Sequence, residues 1–100
     1  MRKYDKVVIK KSTNPKKKMM AVFSSSKNAR TRTIHFGASG YDDYTKTKDK
    51  EQKARYLARH RQNERWDDPF SAGALSRWIL WDRPSIQESI RAYRKRFNLK

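Results

Sequence analysis

Two runs of charge, Lys16-Lys17-Lys18 and Arg94-Lys95-Arg96, are the groups best placed to do chemistry, and that chemistry is the neutralisation of phosphate. Each Lys or Arg that meets a phosphate releases counterions, adding affinity that falls steeply with salt and reads no base sequence. Lys10 and Lys11 lie just upstream of the first run, and Arg55 and Arg59 fall four residues apart, neighbours on one side of a helix. These side chains are the candidate contacts to a polyanion or an acidic partner. For any single run a solvated face is the competing explanation, and a formal charge of +16 weighs against it.

Groups for acid–base or metal chemistry are present without an arrangement. His35 and His60 could act as bases or ligands, and Asp42-Asp43 and Asp67-Asp68 as paired carboxylates. Adjacent residues on a strand or loop point apart, and the sequence holds no Glu-x-x-His or His-x-x-x-His spacing, nucleophile elbow or P-loop. No catalytic residue, metal ligand or cofactor is expected; His35 reads as a half-buried strand residue and His60 as the edge of a helix stripe. Gly37-Ala38-Ser39-Gly40 has the spacing of the GXXG loop with which one RNA-binding fold clamps a nucleotide backbone. That fold sets its loop between helices, whereas here a strand leads in. An ordinary tight turn at Gly37 and Gly40, with Phe36, Tyr41 and Tyr44 closing over it, is the expectation.

Trp66, Trp78 and Trp81 could stack on bases beside arginines. In a chain only 35% hydrophobic, three indoles in the least charged segment are better used as core. Trp81, before Asp82-Arg83-Pro84, is the one expected at the surface, as an anchor for a protein contact.

Strands and helices must position these groups. Residues 3–9 (KYDKVVI) and 19–23 (MMAVF) have the β-branched and aromatic content of strands, with Asn14-Pro15 as a turn between them, and residues 31–36 (TRTIHF) alternate as a third strand. The lysine-rich link 10–18 predicts a hairpin tip that orders only on binding a partner. Asp49 caps a helix running to about Asn63, on which Glu51 precedes Arg55 by the four residues of a favourable ion pair. Residues 72–81 (AGALSRWILW) form a short apolar helix with Leu75, Trp78 and Ile79 on one face, and Ser85 with Glu88 opens a last helix carrying Ile86, Ile90, Tyr93 and Phe97 as a stripe. The expected core is Phe36, Tyr56, Leu57, Leu75, Trp78, Ile79, Ile86, Ile90 and Phe97.

The fold class that follows is α+β, a short antiparallel three-stranded N-terminal sheet packed against about three C-terminal helices. Residues 1–32 read as a basic arm or hairpin and residues 33–100 as a compact helical body that includes the final strand, one domain overall. The first 35 residues carry eleven basic and one acidic group, a net of +10, against fifteen and nine, a net of +6, over the remainder. Such a charge repels itself and attracts nucleic acid, an anionic surface or an acidic protein. Without cysteine there is no disulfide framework or thiolate site, and the longest uncharged run falls far short of the ~18 residues of a membrane span. A soluble chain with no transmembrane or targeting segment is expected.

His35-Phe36-Gly37, Gly40-Tyr41, Asp43-Tyr44-Thr45, Lys48-Asp49, Arg55-Tyr56-Leu57-Ala58-Arg59-His60, Trp66, Ala72-Gly73, Ser76-Arg77-Trp78 and Leu80-Trp81 resemble the shared core of a family of small basic proteins encoded by nucleocytoplasmic large DNA viruses of algae and amoebae. The resemblance covers residues 33–97, implies a viral setting and transfers no catalytic residue. The leading expectation is a non-enzymatic structural component of the virus particle. This would be a minor capsid or linker protein, stabilising the shell or the layer beneath it and contacting other virion proteins. It would be assembled in the host cytoplasm or viral factory and located in the virion. The alternative is a basic, sequence-nonspecific nucleic-acid-binding protein that packages DNA.

Overall fold

The computed structural model describes residues 3–100 and has an α+β architecture. Strands β1 (Lys6–Lys11), β2 (Lys17–Ser24) and β3 (Thr31–Ala38) form one antiparallel sheet in the order β1-β2-β3. Helices α1 (Tyr44–Thr47), α2 (Lys50–His60), α3 (Ala72–Leu75, continued as a π-helical turn over Ser76–Leu80) and α4 (Ile86–Arg96) follow.

The register sets Val7 opposite Phe23, Ile9 opposite Ala21 and Met19 opposite Phe36, so the period of two in each strand gathers these side chains on one face. That face is the core. Val7, Ala21, Phe23 and Phe36 are almost wholly buried there beside Leu75, Ile79, Leu80 and Tyr93 from α3 and α4. Phe70 meets the rings of Tyr4 and Phe23 edge to face, the latter at 4.9 Å between centroids, and Tyr4 and Phe23 lie tilted at 6.1 Å. Residues 1–32 are therefore more than an arm: within the described part, their hairpin supplies the centre of the sheet, and position 32 falls inside β3.

Each helix begins on a side chain that accepts otherwise orphaned backbone N–H groups. Asp43, Asp49, Ser71 and Ser85 serve α1 to α4 in turn, each worth about 1 kcal/mol. The expected caps of α2 and α4 are present, and α1 was not anticipated. The C-terminal end of the chain returns to β1, where Val7 N–H donates to Lys100 O at 3.0 Å and Lys100 N–H to Asp5 O at 2.9 Å. Lys100 alone thus pairs with Asp5 and Val7 and covers part of an otherwise open sheet edge.

In the 10–18 link, whose ends belong to β1 and β2, Asn14 N–H donates to Ser12 Oγ, Lys16 N–H to Asn14 Oδ1 and Lys17 N–H to Asn14 O, so short polar side chains replace missing backbone partners. Several expectations need correction. Residues 76–80 leave the α pattern, with Trp81 N–H bonded to Ser76 O five residues back, and the added residue swings Leu80 and Trp81 into the core. Trp81 is buried, the reverse of a surface anchor. Trp78 is only partly buried, as are Leu57, Ile86 and Phe97, while Phe36, Tyr56, Leu75, Ile79 and Ile90 are core. Tyr41 does not close over the glycine turn: Phe36 and Tyr44 turn inward, and Tyr41 is 71% exposed.

Candidate polyanion-binding cleft

Helix α2 carries Gln52, Arg55, Tyr56, Arg59 and His60 at i, i+3, i+4, i+7 and i+8, a spacing that sets all five on one face. Across from that face lie the end of β2, with Lys17 and Lys18, and the turn leaving β3, with Gly37, Ala38, Gly40 and Tyr41. Between them is an open cleft of about 860 Å³ whose base is made by Phe36, Leu80 and Trp81. Gly37 (φ 79°) is needed on two counts: its backbone is left-handed, and a Cβ there would stand 2.6 Å from Leu80 Cδ1. Gly40 (φ 86°) is required by conformation alone, since the space around it is open. Ser39 N–H is already bonded to Lys16 O at 3.0 Å, which makes 37–40 a strand-ending turn and takes one donor away from any phosphate cradle.

Charge in the cleft divides into paired and unpaired groups. Lys18 Nζ donates to Asp43 Oδ2 at 2.7 Å, and Asp43 is almost fully buried, capping α1 through Thr45 N–H at 2.9 Å. Glu64 sits over Gly73 with its carboxylate 3.4 Å from His60 Nδ1, and exposed Asp42 faces Lys46 at 3.9 Å. Arg55 forms no ion pair with Glu51, contrary to the spacing-based expectation, and among the described residues neither Arg55, Arg59 nor Lys17 has a carboxylate within 4.0 Å. Three exposed cations therefore line the cleft with their charge unspent.

Aromatic rings run through the same place. Trp81 and Tyr56 stack at 4.2 Å between centroids and 5° between planes, and Tyr56 and His60 at 4.3 Å and 26°. Burial, reinforced by the charge of Glu64, pushes the Tyr56 hydroxyl up to about 12. Lys53, beside the cleft, donates to Asp82 O at 2.5 Å and lies over the Tyr44 ring, and burial lowers its ammonium pKa.

The other predicted contacts fall elsewhere. Arg94 Nη2 donates to Val7 O at 2.9 Å, tying α4 to β1, so Arg94 is structural. Arg96 lies 3.8 Å from the centroid of the Trp78 ring, whose other neighbour is Arg77 at 4.2 Å. Arg77 is itself largely buried, reaching Asp82 at 3.4 Å and Trp81 O at 3.3 Å. Lys10, Lys11, Lys16 and Lys95 are exposed, Lys16 at the hairpin tip close to the cleft. Of the carboxylate pairs, Asp42 and Asp43 point apart, and Asp68 caps Phe70 N–H at 3.0 Å. Among the described residues no group of three or more His, Asp or Glu side chains converges as a metal site, and no helix is long and apolar enough to cross a membrane.

Sequence reasoning missed Tyr41 and His60 as cleft residues and Lys17 as distinct from Lys18. The spacing 52, 55, 56, 59, 60 was visible, and it would have joined His60 to the arginines.

Fold and site together define a small basic α+β protein with a solvent-open cleft lined by unpaired cations and aromatic rings. The chain belongs to a family of unknown function (DUF5754), whose sequence model matches residues 7–60. That span runs from β1 to the end of α2, so it holds both walls of the cleft and the hairpin that the viral resemblance left out. No curated protein and no solved structure matches the chain.

Proposed function

We propose that this protein binds nucleic acid without catalysis and without reading base sequence, holding the sugar-phosphate backbone with Lys16, Lys17, Arg55 and Arg59. The observation that carries the reading is the sorting of charge at this cleft: Lys18, Arg77 and Arg94 are committed to partners within the fold, while Lys17, Arg55 and Arg59 line the cleft exposed and, among the described residues, with no carboxylate within 4.0 Å. The resemblance to proteins of large DNA viruses is what supports extending this proposal to the coating or packaging of a viral genome, within the virion. Binding of labelled nucleic acid, followed by anisotropy, should weaken linearly in log–log form between ~50 and ~200 mM salt. With about four phosphate contacts the slope on a single strand is about −3. An affinity indifferent to salt would overturn the proposal.

A second reading, a non-enzymatic linker among virion proteins, draws on the outer face of the sheet. No helix covers Val8 there, and it is 53% exposed. Retention with capsid proteins after nuclease treatment of disrupted particles would favour the linker; loss with the genome fraction would favour nucleic-acid binding.

A further inference from the structure

We infer that the cleft takes single-stranded nucleic acid in preference to duplex, with His60 and Tyr41 as stacking platforms for unpaired bases. The inference rests on the nucleic-acid reading above and narrows its substrate.

The ladder Trp81–Tyr56–His60 carries it. Its first ring is buried in the core, its second is held nearly parallel at 4.2 Å, and its third stacks at 4.3 Å with its side chain 38% exposed. Among the described residues no second ring stacks on His60, so the ladder ends at a part-exposed imidazole lining the cleft. A nucleobase continues such a ladder at the same spacing, whichever base it is. Tyr41 lines the same cleft, 71% exposed and without a ring partner among the described residues. Arg55, Arg59 and Lys17, unpaired beside these rings, meet the phosphates that accompany splayed bases.

A duplex fits neither feature. Its bases are stacked on one another and offer only their edges to a protein. The cleft, at about 860 Å³, lies in the ~300–1,000 Å³ range of pockets that enclose single small ligands, a size suited to a splayed base. Electrostatics alone predicts the opposite preference, because a duplex packs a charge every ~1.7 Å along its axis and releases more counterions per contact than a single strand. A preference for single strands therefore separates stacking from simple charge attraction.

The test uses the full chain and three fluorescein-labelled probes of equal length: oligodeoxythymidylate, an oligomer of abasic deoxyribose phosphates, and a duplex. Salt is held between ~50 and ~200 mM. The base-bearing strand is expected to bind about tenfold or more tightly than the abasic one, and more tightly than the duplex. Tyr41→Ala and His60→Ala should each weaken the base-bearing strand about tenfold and leave the abasic strand nearly unchanged, with His60→Phe restoring binding. The abasic probe also controls for the loss of the His60–Glu64 contact, because an electrostatic effect would move both strands together. Equal, salt-dependent binding of base-bearing and abasic strands, or tighter duplex binding, would overturn the stacking inference and leave the nucleic-acid reading standing. Failure of every probe to bind would overturn both.

Discussion

Arg94 and Arg55 carry the same guanidinium, each on a helix of eleven residues, and the fold uses them in opposite ways. Arg94 points into the seam between α4 and β1 and spends a donor on the Val7 carbonyl. Arg55 points from α2 across an open cleft and has no carboxylate partner among the described residues. The same split separates neighbours in sequence, since Lys18 is bound to buried Asp43 while Lys17 is exposed at the cleft. Among these cations two kinds are distinct: Lys18 and Arg94, which hold the sheet against the helices, and Lys17 and Arg55, which among the described residues have no carboxylate partner. The first group should govern stability and the second affinity.

The sharpest loss of stability should come from the core that both populations surround. Phe23→Ala removes a fully buried ring packed against Tyr4 and Phe70, and about 3–5 kcal/mol is the usual cost. Calorimetry should find the variant unfolded or strongly shifted. A thermal midpoint unchanged by Phe23→Ala would mean that the hairpin is a peripheral arm after all. Next in size is Arg94→Ala, which deletes a charged hydrogen bond to a backbone carbonyl, with an expected cost of about 1.5–3 kcal/mol. Urea denaturation should show that loss, and the salt slope of nucleic-acid binding by the folded variant should not move. A reduced slope with normal stability would place Arg94 among the binding cations.

A smaller effect should appear at alkaline pH. The Tyr56 hydroxyl is raised in the folded state from an ordinary value of 10.0 to about 12 by burial. Folding therefore favours its neutral form, and the stability tied to that proton is complete below pH ~10 and lost as pH climbs toward ~12. Ultraviolet titration compared between the unmodified protein and Tyr56→Phe should show the Tyr56 hydroxyl ionising only near pH 12, and Tyr56→Phe should flatten the fall in thermal midpoint across that window. Ionisation of Tyr56 near its ordinary value of 10.0 would remove it from its buried, stacked position.

Much of the fold was legible because local signals and the core agreed. Alternation in residues 31–36, Asp49 and Ser85 as caps, and Asn14-Pro15 as a turn each determine structure within a few residues. What escaped depends on contacts distant in sequence. Trp81 looked like a surface residue because its neighbours Asp82, Arg83 and Pro84 are polar, yet a π-helical turn and the Tyr56 ring, twenty-five positions earlier, bury it. Lys18 and Arg94 looked like members of basic runs, since nothing local says that Asp43 and the Val7 carbonyl will claim them. Composition reports how many cations exist and is silent on which are already engaged. The cleft was half visible: Arg55, Arg59 and the glycine turn were chosen from spacing, whereas its opposite wall required the sheet register to bring Lys17 beside Gly37 and Ala38.

The most direct test of the division between engaged and available cations is the salt dependence of nucleic-acid binding by the double variant Arg55→Ala, Arg59→Ala, measured beside the unmodified protein. Both side chains are exposed and without a carboxylate partner among the described residues, so stability should stay within about 0.5 kcal/mol per site. On a single strand the log–log slope should fall in magnitude by about 1.4, roughly 0.7 for each lost phosphate contact. A slope equal to that of the unmodified protein, with the fold intact, would contradict the account.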